Sequence, residues 1–157
     1  MLSNANIYRA IAEEAHASMR ATLANVVKPK PDGAPGYILR SEPDRRSFKD
    51  AMVTVVFAGI YLEALLFLAL TDRFGRNEAL KIDRERYEER LKRLGVTNPD
   101  LLVQVAAFRQ ARKDLVHEKA VAPHELESQT IHIAQDTADS AIALLQDIRR
   151  LLAVTAP

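Results

Sequence analysis

Cysteine and tryptophan are both absent from the chain, and aromatic residues amount to only 6%. Without thiols there can be no disulfides and no thiolate metal sites, so the fold rests on its core alone and suits a reducing compartment. Without tryptophan and with few other rings, a base-stacking platform for single-stranded nucleic acid has little to be built from. Glycine is scarce, at five residues, which leaves few interruptions for helices. Neither sign of charge dominates: the net charge is +1, a balance that neither demands nor forbids a polyanionic partner. Paired-His zinc motifs, phosphate-cradling glycine loops, nucleophile elbows and calcium loops are also missing. No metal and no cofactor is therefore expected. The opening segment MLSNANIYRAIAEEAHASMR carries charges at helical spacing and lacks an apolar signal core, so the expected location is cytoplasmic.

What is present is ordinary globular composition, 48% hydrophobic and 27% charged over 157 residues. That length fits one domain spanning residues 1–157. Ile7, Ile11, Ala15, Met19, Leu23 and Val26 recur at three- and four-residue steps, predicting a first helix over 3–27 with that apolar face. It stops at KPKPDGAPG, and residues 28–46 form a long proline- and glycine-containing connection. A second helix over 47–72 is almost wholly apolar. Glu63 near the middle of its 51–70 stretch argues against a membrane span, since an acidic group there costs about 2.5–3.5 kcal/mol on insertion scales. The expectation is a helix buried on all sides of a bundle, with no membrane. A third helix, 82–94, places Glu88–Lys92 and Glu89–Arg93 four apart in the favourable order. Asn98-Pro99 opens a fourth, 98–119. A fifth runs over 125–153, with Ile131, Ala134, Ala138, Ala141, Leu145, Ile148 and Leu152 as its buried stripe. Five amphipathic helices with no strand pattern predict an all-α, up-and-down antiparallel bundle.

The fourth helix contains a conflict. At about 100° per residue, Arg112 falls among Leu101, Val105, Phe108, Leu115 and Val116 on the apolar arc. An inward guanidinium needs its charge met. Glu63, among Val56, Gly59, Ile60, Leu66, Phe67 and Leu70, is equally out of place. The two are expected to be buried and to meet, either as a structural ion pair or as a device that fixes Arg112 beside a site. His117 follows five residues after Arg112, about 140° around the axis, so the two side chains flank a groove. Histidine exchanges protons near neutral pH and arginine is a fixed cation for phosphate oxygens. His16, His124 and His132 are scattered over different elements and read as surface or helix-end residues.

FRQARKDLVHEK, following an apolar helix that carries YLEALL, resembles the HEPN domains, all-α nucleotide-binding or ribonuclease domains marked by Arg, four to six residues, then His. The resemblance covers residues 48–153, and KDLV separates Arg112 from His117. One departure is Lys113, where many family members carry Asn or another small polar residue. The resemblance implies metal-independent RNA cleavage, with Arg112 and His117 catalytic; Glu63, as the carboxylate that orients Arg112, and Lys113 beside it are the expected supporting residues. It also implies a homodimer, RNA as substrate, and a toxin or antiphage role with an antitoxin partner such as a minimal nucleotidyltransferase. The alternatives are a catalytically silent HEPN-like module that binds a nucleotide or protein, and a structural helical dimer.

Overall fold

The computed structural model describes residues 4–30, 37–39, 42, 44–116 and 133–155. Among them are six helices: α1 (Ala5–Val26), α2 (Arg46–Phe74), α3 (Arg76–Ile82), α4 (Tyr87–Arg93), α5 (Pro99–Val116) and α6 (Ala134–Thr155). The chain is an all-α bundle, and α2 packs against all five other helices.

Each boundary has a local cause. Glu42 accepts hydrogen bonds from the Ser47 amide and hydroxyl, both at 2.6 Å, occupying donors of the first turn of α2. Those bonds hold the Glu42 carboxyl below its usual range. Gly75, with φ 78°, ends α2 and turns the chain into α3. Asn98 Oδ1 accepts from the Asp100 and Leu101 amides at 3.0 and 3.2 Å, a side-chain cap with Pro99 at the first helical position of α5.

Cross-helix contacts give the direction of packing. Tyr8 lies 6.3 Å from Phe57, ring centre to ring centre, the Thr54 hydroxyl lies 3.5 Å from the Ala12 carbonyl, and Arg46 reaches Ser18. Residue numbers rise on α1 as they fall on α2, so the two run antiparallel. The start of α6 meets the start of α2 where Gln135 donates to Ser47 Oγ at 3.1 Å.

Two features of the fold differ from the sequence reading. The 28–46 connection contains a small antiparallel ribbon, β1 (Val27–Pro29) with β2 (Tyr37–Leu39), in which Val27 pairs with Leu39 and Lys28 with Ile38. A three-residue strand is too short to show an alternating pattern. The expected third helix, 82–94, is two short helices. The turn between them is clamped by Arg90, which donates to Asp83 Oδ1 at 2.7 Å and to the Glu85 carbonyl at 2.8 Å.

The faces also shift. On α1 the buried line is Ala5, Ala12 and Met19, while Ile7 is 57% exposed. Small residues at seven-residue spacing let α1 approach α2 closely, which rotates the predicted face toward alanine. On α6, Ala134, Ala138, Ala141, Leu145 and Ile148 are buried as predicted, whereas Ile131 lies outside the described residues. The central helix is not covered on all sides. Val53 is exposed, and Met52, Val56, Ile60 and Phe67 are only partly buried. Among the described residues α2 alone is long and apolar enough to cross a membrane, and 44% of its most apolar window is buried against the rest of the bundle.

Candidate functional site

Arg112 and Glu63 do meet. Arg112 Nη1 donates to Glu63 Oε1 at 3.2 Å, joining α5 to α2. The expectation that both are deeply buried is corrected: the Arg112 side chain is 26% exposed and that of Glu63 46%. The pair sits at the partly open edge of α2, where a carboxylate keeps part of its hydration. Two further residues complete the arrangement: the sequence reading missed Tyr87, and it named Gly59 only as a neighbour of Glu63.

The first is Tyr87, at the start of α4. Its hydroxyl donates to Glu63 Oε1 at 2.6 Å and accepts from Arg112 Nη1 at 3.1 Å. Burial and then the Glu63 bond push the Tyr87 hydroxyl well above the ordinary phenol value, so it remains a proton donor to the carboxylate. Arg90 holds the ring in place, its guanidinium 5.6 Å from the Tyr87 ring centre. A tyrosine that begins an otherwise charged helix, DRERYEERLKR, was the available signal.

The second is Gly59. Arg112 crosses α2 directly over it: a Cβ at position 59 would lie 2.3 Å from Arg112 Nε and 2.5 Å from Cδ. Glycine inside a helix costs about 1 kcal/mol against alanine, so a glycine within a long apolar helix signals close approach of another group. Here that group is the catalytic candidate itself. Wedged there, Arg112 Nε is buried with no hydrogen-bond partner among the described residues.

The guanidinium is thus fixed by a glycine beneath it, a carboxylate and a tyrosine on Nη1, and the α5 backbone. Its Nη2 donors have no acceptor among the described residues. A second tie holds α4 to α5: Arg109 Nη2 lies 3.3 Å from Glu88 Oε1. That contact takes Glu88 away from the predicted Lys92 partner, and Glu89 pairs with Lys92 at 2.9 Å instead of Arg93. Arg93 turns back to Glu85 at 2.9 Å, ahead of the helix, which leaves Glu89 to Lys92. Lys113 is exposed on the outer side of α5. His117 lies outside the described residues, as do His124 and His132.

His16 is not the surface or helix-end residue that was expected. It sits mid-helix, part-buried, with Nε2 2.7 Å from Asp139 Oδ1 on α6, and Arg20 reaches the other carboxylate oxygen at 3.1 Å. The cluster ties α1 to α6. Among the described residues no group of three or more His, Asp or Glu is placed to hold a metal ion. Comparison with known proteins finds no family model, no curated protein and no solved structure that matches this chain.

Proposed function

We propose that the chain is a HEPN-like, metal-independent endoribonuclease in which Arg112 grips the scissile phosphate and His117 moves the proton. The observation that supports this best is the fixing of Arg112 over Gly59 by Glu63 and Tyr87. A guanidinium held on one nitrogen, with another that meets no acceptor among the described residues, is pre-organised to bind phosphate oxygens. In the reaction the ribose 2′-oxygen loses its proton to a base and attacks phosphorus. The bond to the 5′-oxygen breaks, that oxygen takes a proton from an acid, and a cyclic phosphate remains. One histidine per chain supplies one of these two proton carriers. A symmetric homodimer with two His117 and two Arg112 around a shared cleft supplies both. A toxin or antiphage role restrained by an antitoxin partner fits such an activity.

A second reading, a catalytically silent module that binds a nucleotide or protein, draws on one specific feature. Glu63 already meets the Arg112 charge, and Lys113 departs from the small polar residue common after the family arginine.

The test is purified chain incubated with RNA in EDTA, with sedimentation to establish the assembly. The proposal expects cleavage by a dimer and its loss in His117→Ala at unchanged circular dichroism. A dimer that binds RNA without cutting it would favour the silent module.

A further inference from the structure

Glu63 is placed to do more than hold Arg112. Its two donors share one oxygen: the Tyr87 hydroxyl at 2.6 Å and Arg112 Nη1 at 3.2 Å both reach Oε1. Oε2 accepts nothing among the described residues and is not buried, on a side chain that is 46% exposed. The arginine end of the contact has the same form. Nη1 carries the bonds to Glu63 and Tyr87, while Nη2 meets no acceptor among the described residues and is not buried either. Nη1 and Oε1 touch, so Nη2 and Oε2 each lie one carbon atom away from that contact. One ion pair thus carries an open donor and an open acceptor side by side.

The neighbouring carboxylates are placed differently. Glu88 is engaged through both oxygens by Arg109, at 3.3 and 3.4 Å, and its side chain is only 14% exposed. Asp114 lies on the exposed side of α5 and accepts from Gln110 at 2.8 Å.

A carboxylate that served only to orient an arginine would best present both oxygens, in the two-pronged pairing guanidinium groups favour. Here the second oxygen stands outside the pairing. An ionised carboxylate with an accessible free oxygen can accept a proton. Tyr87 sharpens the division of labour. Burial and the Glu63 bond keep its hydroxyl protonated, so Oε1 stays occupied by a donor and an incoming proton has Oε2 to go to.

We propose that Glu63 Oε2 is the general base of the cleavage, taking the proton of the ribose 2′-hydroxyl while Arg112 Nη2 holds the phosphate beside it. This rests on the ribonuclease reading and changes one part of it: the base comes from α2 of the same chain, and His117 keeps the acid role. The steps balance within one chain. The 2′-oxygen gives its proton to Oε2 and bonds to phosphorus. The bond from phosphorus to the 5′-oxygen breaks, and that oxygen takes a proton from the His117 imidazolium. A cyclic phosphate and a free 5′-hydroxyl leave, and exchange with water restores both side chains. A phosphate on Nη2 also brings negative charge beside the carboxylate, which favours proton transfer to it.

Glu63→Gln is the test, because glutamine keeps an oxygen that can accept from Tyr87 and Arg112 but is no base. Single-turnover cleavage of a labelled RNA in EDTA is compared with affinity for the same RNA carrying unreactive 2′-O-methyl groups. The rate should fall about a hundredfold or more, the scale of one positioned proton carrier, with affinity little changed and circular dichroism intact. Tyr87→Phe removes a donor from Oε1 and leaves Oε2, so it should lose only about tenfold, the scale of one hydrogen bond. The wild-type rate should also drop in acid as the carboxylate takes up its proton, a drop absent from Glu63→Gln. A Glu63→Gln rate no lower than that of Tyr87→Phe would overturn the proposal, reducing Glu63 to a holder of Arg112, and so would an acid-side drop that survives in Glu63→Gln. Either result alongside wild-type cleavage leaves the ribonuclease reading standing, whereas a wild type that cuts no RNA overturns both.

Discussion

Gly59→Ala puts two physical effects in opposition, and the structure decides between them. Helix energetics alone favours the change, since alanine is better than glycine by about 1 kcal/mol in a helix interior. A Cβ at this position, however, would stand 2.3 Å from Nε, 2.5 Å from Cδ and 2.7 Å from Cζ of Arg112. Cδ belongs to the stem, so the outer half of the side chain must leave, and not just its tip. Departure breaks the bonds to Glu63 and Tyr87. Charge-assisted hydrogen bonds contribute about 1.5–3 kcal/mol when shielded from water. With the Glu63 side chain 46% exposed, its share is discounted to about 1 kcal/mol or less. Adding loss of the part-buried Tyr87 contact and exposure of the apolar stem gives a penalty of about 2–3 kcal/mol. The net expectation is a destabilisation of about 1–2 kcal/mol, of opposite sign to helix propensity. Urea denaturation followed at 222 nm measures it. In an Arg112→Ala background the obstruction is gone, and the same substitution should stabilise by about 1 kcal/mol, so the cycle has a coupling of about 2–3 kcal/mol. A Gly59→Ala that stabilises the wild type as much as it stabilises Arg112→Ala would show that Arg112 does not lie over Gly59 in solution.

Other expectations follow from the same geometry. Tyr87 has its hydroxyl raised by burial and by Glu63, so its contribution to stability is complete below the ordinary value of 10.0 and is lost as pH rises beyond it. Thermal melts between about pH 9 and 11, the range that brackets phenol ionisation, should therefore fall more steeply in wild type than in Tyr87→Phe, and equal slopes would contradict the assignment. Arg90→Met should destabilise by about 3 kcal/mol, because the buried guanidinium that clamps the α3–α4 turn also holds the Tyr87 ring. A change within 0.5 kcal/mol would show that Arg90 is not holding that turn, given the roughly ±0.5 kcal/mol typical of unremarkable surface substitutions. Asn98→Ala removes the α5 cap and should cost about 1 kcal/mol, with protection from hydrogen exchange falling first in the Asp100–Leu101 amides.

Much of the fold was legible because helical periodicity is a local property. The proline-glycine stop at 28–36, the Asn98-Pro99 start and the α6 stripe were readable from a few residues each. The rotation of the α1 face was not, because Ala5 and Ala12 are chosen for closeness to α2, a tertiary demand that hydrophobicity ranks below Ile7. The Arg112–Glu63 pair was legible as two charges misplaced on apolar arcs. Its depth was not: how far the edge of α2 is covered depends on the packing of every neighbouring helix. Tyr87 escaped because its role depends on where a short helix docks. The His16–Asp139 pair spans 123 residues, and nothing in the spacing of either residue joins them.

In the proposed function Arg112, wedged over Gly59 and held by Glu63 and Tyr87, is the phosphate-binding cation of an RNA-cleaving site. Arg112→Lys tests it most directly, since lysine keeps the charge but loses the planar fork. Cleavage of a labelled RNA in EDTA, measured beside the urea midpoint of each protein, separates chemistry from folding. The expected loss in rate is at least about a hundredfold, the scale on which removing one transition-state donor is felt, far beyond any change explained by stability. Wild-type cleavage that persists unchanged in Arg112→Lys, or a wild type that never cuts RNA, would contradict it.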